Sequence, residues 1–235
     1  MSTVFMPKHI HPIYFNNVFD ECLLFQNLTP NELDRLEGSA ELSKCNEGEY
    51  LFRQDAPADF VYNVISGTVA IERIFSNGKR QIIGFLFPGD VIGLIHSEKY
   101  DCAVRCLTKV EVYKFSRKRL NILSEEVDHL KQNMEQIKSR IFSRVMDHLY
   151  VLGQKKALER LCFLFMQLLE RLPGARPDRV DLYMSRQDMA DYLGSTIETV
   201  SRSLAKLKAD KLVAFPKLNH LQILNLAAVS ELAEC

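Results

Sequence analysis

The sequence predicts an α+β fold: an N-terminal antiparallel β-roll, then a long helix, then a C-terminal winged helix-turn-helix. Three observations carry this reading. Short strand-like apolar runs fill Leu42 to Phe115, a helical period of apolar residues runs from Leu123 to Leu152, and Ser185 to Leu207 has the spacing of two helices about a glycine turn. At 235 residues the chain suits one large or two modest domains. Its 47% hydrophobic and 26% charged residues are ordinary for a globular protein, and a formal net charge of zero gives no global pointer to a polyanion.

The elements follow in chain order. From Asn16 to Leu36 the pattern is helical, with Phe19, Leu23, Leu24, Leu33 and Leu36 apolar around a break at Thr29-Pro30. The strand-like runs YLFRQ, FVYNVIS, TVAIERIF, RQIIGFLF, DVIGLI, CAVRCL and VEVYKF come next. Turn residues punctuate them at Asn46-Glu47-Gly48, Ser66-Gly67, Asn77-Gly78 and Pro88-Gly89-Asp90. Many short strands with regular glycine punctuation make an antiparallel roll or barrel.

Leu123, Val127, Leu130, Met134, Ile137 and Ile141 step alternately by four and three residues, the seam of a coiled coil, and Val145 and Leu149 extend it. Such a helix pairs with a copy of itself or packs on its own roll, and the roll is expected to cover part of it. The seam residues lead us to expect a homodimer. A second helix, ALERLCFLFMQLLERL, ends at Pro173-Gly174, and Val180, Leu182 and Met184 alternate as a short strand. The expected division is residues 1–117 for an N-terminal segment and β-roll sensor domain, 118–153 for the dimerisation helix and 154–235 for the winged helix-turn-helix domain.

In the last of these, Ser185 is a helix N-cap, and Met189, Ala190 and Leu193 line the inner face of a short first helix. Gly194 falls where a left-handed turn is needed, a conformation that costs glycine almost nothing. In the second helix Ile197, Val200, Leu204 and Leu207 are expected inward, leaving Glu198, Thr199, Ser201, Arg202 and Lys206 outward or at the flank. Residues 195–211 carry a net charge of +2, which suits an element that faces phosphates. LVAFP and HLQILNL then bracket Lys217-Leu218-Asn219 as a β-hairpin wing. A helix presenting polar residues beside such a turn has the geometry that reads the major groove of double-stranded DNA.

Other function classes find little support. The start of the chain lacks the order of an export signal and no apolar run is long enough to span a membrane, so a cytoplasmic protein without membrane association is expected. Six cysteines scattered through a long chain do not make a disulfide framework. No nucleophile–base set and no phosphate-cradling glycine loop appears, and the roll's single histidine, His96, does not make a metal-dependent enzyme of the cupin kind.

A β-roll, a long helix and a winged helix-turn-helix in that order resemble the cAMP receptor protein/FNR superfamily of transcription regulators, from about Phe19 to Leu226. The roll would then be a cyclic-nucleotide-binding-like jelly roll. The most specific element is ETVSR, residues 198–202. FNR and FixK branches use Glu-x-x-Ser-Arg here to read TTGAT half-sites. The resemblance therefore implies base reading by Glu198, Ser201 and Arg202. Phosphate contacts would come from Ser195, Thr196, Thr199 and Lys206, and the partners would be DNA, a second copy and RNA polymerase. Anaerobic, respiratory or nitrogen-oxide metabolism is the implied field, as an activator or a repressor.

The resemblance also bears on cofactors. The family's nucleotide pocket has a ribose-binding Glu and a phosphate-binding Arg where this chain has Leu94 and Asp101, so the effector is not expected to be cAMP. FNR proteins hold an iron–sulfur cluster through three close N-terminal cysteines and a fourth in the roll. This chain has only Cys22 in the first position and Glu111 or its neighbour in the second. Cys102 and Cys106 would stand about 13 Å apart in an extended strand, too far for one small cluster. No metal or cofactor is expected, with Cys22, His9 and His11 as the weak candidate ligands for a cluster or heme, and a redox role for Cys22, Cys45, Cys102 or Cys106 stays open.

Overall fold

The structure is a computed structural model in which residues 22–172, 174–176 and 178–234 are described. Phe19, His9 and His11 lie outside them. After a single 3-10 turn at Leu23–Phe25, helix α1 spans Pro30–Glu37. Thr29-Pro30 therefore starts a helix. The Thr29 hydroxyl accepts from the Glu32 backbone N–H at 3.4 Å, and the Glu32 carboxylate accepts from the Thr29 N–H at 2.7 Å. This reciprocal pair satisfies orphan donors of the first turn, and proline at N1 has none to lose.

Eight strands follow: β1 Ala40–Cys45, β2 Tyr50–Phe52, β3 Phe60–Ser66, β4 Val69–Ile74, β5 Arg80–Leu86, β6 Val91–Ile92, β7 Ala103–Cys106 and β8 Val110–Ser116. Seven of them coincide with the runs read from the sequence. β1 was not among those runs, because Ala, Glu, Ser and Lys are poor strand formers, and its register along β8 (Leu42 opposite Tyr113, Cys45 opposite Val110) is what makes it a strand. The sheets have the orders β1-β8-β3-β6 and β2-β7-β4-β5. Gly48, Gly67, Gly78 and Gly89, one in each turn named above, all take positive φ. At Gly67 a Cβ would stand 2.3 Å from the Lys109 carbonyl oxygen, so no other residue fits there.

Two helices succeed the strands where a single one was expected: α2 Arg117–Glu126 and α3 Asp128–Gln154. Val127 between them is extended (φ −124°, ψ 98°) and directs its side chain into the core. Its N–H bonds Leu123 O and its carbonyl accepts from Lys131 N, so Val127 keeps both of its own main-chain hydrogen bonds across the break. The remaining elements are α4 Ala157–Arg171, β9 Arg179–Asp181, α5 Arg186–Tyr192, α6 Ile197–Ala209, β10 Val213–Lys217, β11 His220–Ile223 and α7 Leu226–Glu234. Strands β10, β11 and β9 form a three-stranded antiparallel sheet, the expected wing with the Val180 strand on its edge.

The chain divides into two compact units. One holds the described residues up to Val69 with Leu86–Ser143, the other Ala70–Phe85 with those from Arg144 onward. The core of the first gathers Leu24, Phe25, Leu36, Val61, Phe115 and Leu120. Five of the expected seam residues, Leu123, Val127, Leu130, Met134 and Ile137, belong to it and are buried. Asn133 on α3 donates to the Leu24 and Gln26 carbonyls at 3.3 and 2.7 Å, fixing the helix on the 3-10 turn. The rest of the stripe, Ile141, Val145 and Leu149, is exposed beside Phe142, Met146 and Tyr150. Among the described residues no helix is long and apolar enough to cross a membrane.

Candidate nucleic-acid interface

Helices α5 and α6 build the site. Ser185 caps α5: its hydroxyl accepts from Asp188 N at 3.0 Å while the Asp188 carboxylate accepts from the Ser185 N–H at 3.0 Å. This is the capping-box arrangement with aspartate at the third helical position. After Tyr192 the chain turns through Leu193 and Gly194 (φ +58°), and Ser195 N donates back to Ala190 O at 2.9 Å. A Cβ on Gly194 would meet Leu152 Cδ2 at an ordinary 3.4 Å, so it is the left-handed conformation that favours glycine here.

Arg160 of α4 seals this turn. Its guanidinium donates to Lys155 O (2.8 Å), Leu193 O (2.9 Å) and Leu152 O (2.8 Å), satisfying carbonyls at two helix ends. His148 of α3 stacks on the Tyr192 ring at 4.1 Å, and its Nε2 lies 2.9 Å from Tyr192 O. Burial pushes the His148 pKa below the ordinary histidine value, so the neutral ring is the stable form in this packing.

Helix α6 begins at the Thr196 cap, whose hydroxyl accepts from Thr199 N at 3.3 Å. Val200, Leu204 and Leu207 face inward as expected, and Ser203 is buried with them. Ile197 is a correction: it is 39% exposed. It stands in the first turn after the cap, on the same exposed end of the helix as Glu198.

Glu198, Ser201 and Arg202 are all exposed and lie within about one helical turn of one another. Arg202 Nη2 donates to Thr199 Oγ1 at 3.3 Å, which leaves most of its guanidinium donors pointed at solvent. The Glu198 pKa is held below the ordinary carboxylate value, chiefly by its own backbone N–H, then by the Thr196 hydroxyl and Arg202. At neutral pH it is an acceptor only. Thr196 and Lys206 are exposed, Ser195 and Thr199 half-buried, and Lys206 pairs with Asp210 at 3.1 Å.

A cluster that local sequence patterns could not reveal anchors α5. Arg80 of β5 donates to Asp191 Oδ2 (Nε, 2.7 Å), Asp188 Oδ1 (Nη2, 2.9 Å) and Glu72 Oε2 (Nη1, 3.3 Å). The three carboxylate side chains are only 1 to 12% exposed. Gln81 beside it donates to Asp191 O, and Phe85 packs on Tyr192 with ring centres 5.1 Å apart. Hairpin β4–β5 and α5 belong to one compact unit, and these contacts fix the first helix of the motif within it.

Of the other candidate residues, Cys22 is buried, with Asn63 Nδ2 at 3.1 Å from its sulfur and its thiol pushed up to about 12 by desolvation. Leu94 packs against the apolar core and Asp101 is exposed.

Comparison with known proteins gives this arrangement its context. Residues 42–126 match the family described as cyclic nucleotide-binding domain, and residues 159–232 match the Crp-like helix-turn-helix domain. The chain is 33% identical over 190 residues to the nitrogen fixation regulation protein FixK of Bradyrhizobium diazoefficiens, covering 80% of each. It is 31% identical over 217 residues to the fumarate and nitrate reduction regulatory protein of Salmonella typhi, covering 90% of this chain and 86% of that one. The structure of FixK2 from Bradyrhizobium japonicum superposes with a TM-score of 0.78 at 30% identity, over 82% of this chain and 96% of that chain. The first match raises the question of a cyclic nucleotide, and the residues do not fit one. Where a ribose would need a carboxylate, half-buried Leu94 packs against the apolar core, and where a phosphate would need a cation, Asp101 presents negative charge.

Proposed function

The chain belongs to the CRP/FNR family of DNA-binding transcription regulators, and from that premise we propose that it acts as a homodimer reading a TTGAT-N4-ATCAA-like palindrome through α6. The observation that carries the reading is the set Glu198, Ser201 and Arg202, exposed together on one face of a capped helix. Arg202 gives a guanine two parallel donors toward O6 and N7, Glu198 accepts from a cytosine N4 amine, and Ser201 bonds either type of edge. Exposed Ile197 offers an apolar contact for a thymine methyl group beside them. Thr196, Thr199, Ser195 and Lys206 surround these positions and hold phosphates, which fix the register without specifying sequence.

Two copies are needed to read an inverted repeat, and the exposed stripe Ile141, Phe142, Val145, Met146 and Leu149 supplies an apolar face for the second. Residues 118–153 then serve dimerisation, 1–117 the signal-receiving segment and roll, and 154–235 DNA reading. The relatives' names, which speak of nitrogen fixation and of fumarate and nitrate reduction, support a role in anaerobic or respiratory regulation. A transcription regulator with this role would act in the cytoplasm, together with RNA polymerase. The unfitted nucleotide pocket supports an effector other than cAMP, or none.

The test is titration of the full chain against a TTGAT-N4-ATCAA duplex, a single half-site and a scrambled duplex at matched salt. Selective binding to the full palindrome, lost in a Leu149→Glu variant that sediments as a monomer, is the expected result. Equal affinity for all three duplexes would refute the half-site assignment.

A further inference from the structure

A tight reversal leads into β9. Arg176 N donates to Arg179 O at 2.9 Å and Arg179 N donates to Arg176 O at 3.2 Å, a hydrogen-bonded antiparallel pair. Residues opposed in this way project from the same face of the ribbon, with Cβ atoms about 5 Å apart. Two exposed arginines therefore start side by side, an arrangement that like charges disfavour. The register supplies the rest of that face. Val180, between Arg179 and Asp181, is buried, so Arg179 and Asp181 share the outer side of the sheet. His220 of β11 lies opposite Asp181, and Gln222 lies opposite Arg179.

These residues border a cavity of about 310 Å³ whose lining includes Arg176, Arg179, Asp181, Tyr183 and His220. All of it lies within the unit that carries α5 and α6. The acidic groups nearby already have partners. Asp181 is paired with His220 Nδ1, and Asp178 accepts from Arg179 Nε at 3.3 Å and from Gln222 Nε2 at 3.4 Å. Arg179 keeps its two terminal nitrogens, and among the described residues no hydrogen bond or ion pair holds the Arg176 guanidinium.

We propose that Arg176 and Arg179 form a clamp for a phosphate group in this cavity, with Tyr183 and His220 as its neighbouring polar groups. The inference is independent of how α6 reads DNA. An anion placed between opposed guanidinium groups replaces their repulsion with charge-assisted hydrogen bonds, and each planar fork matches a pair of phosphate oxygens. A carboxylate brings a single charge, whereas a phosphate monoester brings roughly 1.5 to 2 at neutral pH, which suits two arginines. The volume stands at the lower end of the range for small-molecule sites, so the phosphate belongs to a compact molecule or to one that lies mostly outside the cavity. A small phosphate ester and a DNA backbone both offer that chemistry.

The experiment titrates the full chain calorimetrically with inorganic phosphate and with phenyl phosphate, at an ionic strength held constant with chloride. Saturable single-site binding is expected, weakened about tenfold by Arg176→Gln or by Arg179→Gln. Asp181→Asn should tighten it by removing the negative charge from the lining, a gain that a folding defect does not produce. A second arm titrates the same variants with duplexes that share one palindrome and differ in the length of their flanks. Phenyl phosphate binding that the glutamine substitutions weaken assigns the clamp to a small ester. Loss of affinity for the longer duplexes alone assigns it to the DNA backbone. Phosphate binding that survives both glutamine substitutions, or no effect of them in either arm, would overturn the proposal.

Discussion

Helices α5 and α6 stand a few residues apart, each capped by a hydroxyl residue, yet their polar side chains meet opposite fates. On α5, Asp188 and Asp191 are taken up by Arg80, and the Tyr192 hydroxyl donates to Gln167 at 2.9 Å. On α6, Glu198 and Ser201 stand in solvent, and Arg202 has one hydrogen bond, to its neighbour Thr199. A buried polar group left without a partner costs roughly 1–3 kcal/mol, whereas an exposed one costs nothing until a ligand removes its water. The first helix is therefore a part of the scaffold. The second keeps its donors and acceptors for something outside the chain.

The same contrast divides α3. Its first half buries Leu130, Met134 and Ile137 in its own unit, and its second half leaves Phe142, Met146 and Leu149 exposed. One continuous apolar stripe thus serves two surfaces. An exposed apolar row on a helix marks an interaction site more often than a scatter of single residues does.

The largest effect should come from the helix that reads nothing. Arg80→Ala leaves Glu72, Asp188 and Asp191 as three close carboxylates with little water, and removing one partner of a buried pair costs about 3–5 kcal/mol. Chemical denaturation should show that loss, whereas Arg202→Ala should stay within about 0.5 kcal/mol of the parent. Equal destabilisation by the two would erase the distinction between scaffold helix and reading helix.

Thr196→Ala removes the α6 cap and should cost about 1 kcal/mol of stability, with a matching loss of affinity for specific and random DNA alike. Lys206→Ala should weaken binding evenly across sequences and lower the salt slope by about one. A sequence-dependent loss would instead make it a base-reading residue.

The smallest effects are those of pH, and they differ in sign between the two units. Burial lowers the folded pKa of His148, so the unfolded state binds its proton more readily. Stability from this group is full above about pH 6.5 and falls as the pH drops toward the folded pKa. Glu37 is the reverse: burial, then Asp34, raises it to about 7, and one of its carboxylate oxygens is buried without a partner. Its contribution is present below the ordinary glutamate pKa and lost as pH rises to about 7. His148→Gln should flatten the acid limb of a stability–pH curve, and Glu37→Gln the neutral one.

Much of the architecture was legible from local chemistry. Glycines marked the tight turns, hydroxyl residues the helix starts, and alternation the strands, because each depends on residues close in sequence. What the sequence concealed depends on distance. Arg80 finds Asp188 and Asp191 more than a hundred residues away. Strand β1 is a strand because β8 lies beside it, and Val127 bends a helical pattern because the core takes its side chain. On the reading face, Glu198, Ser201 and Arg202 were placed outward correctly, and Ile197 was placed inward against its 39% exposure. The first turn of a helix has few neighbours to cover it, which periodicity alone does not register.

Whether α6 reads sequence while α5 does not is decided by a binding cycle. Wild-type protein and Arg202→Ala are each titrated with TTGAT-N4-ATCAA and with the same duplex in which the G·C pair of both half-sites is changed to A·T. Arg202→Ala and the base change should each cost about 1–3 kcal/mol per half-site, and the second change should cost little once the first is made. Full additivity of the two losses would contradict this, since Arg202 would then not be the group that reads that base pair.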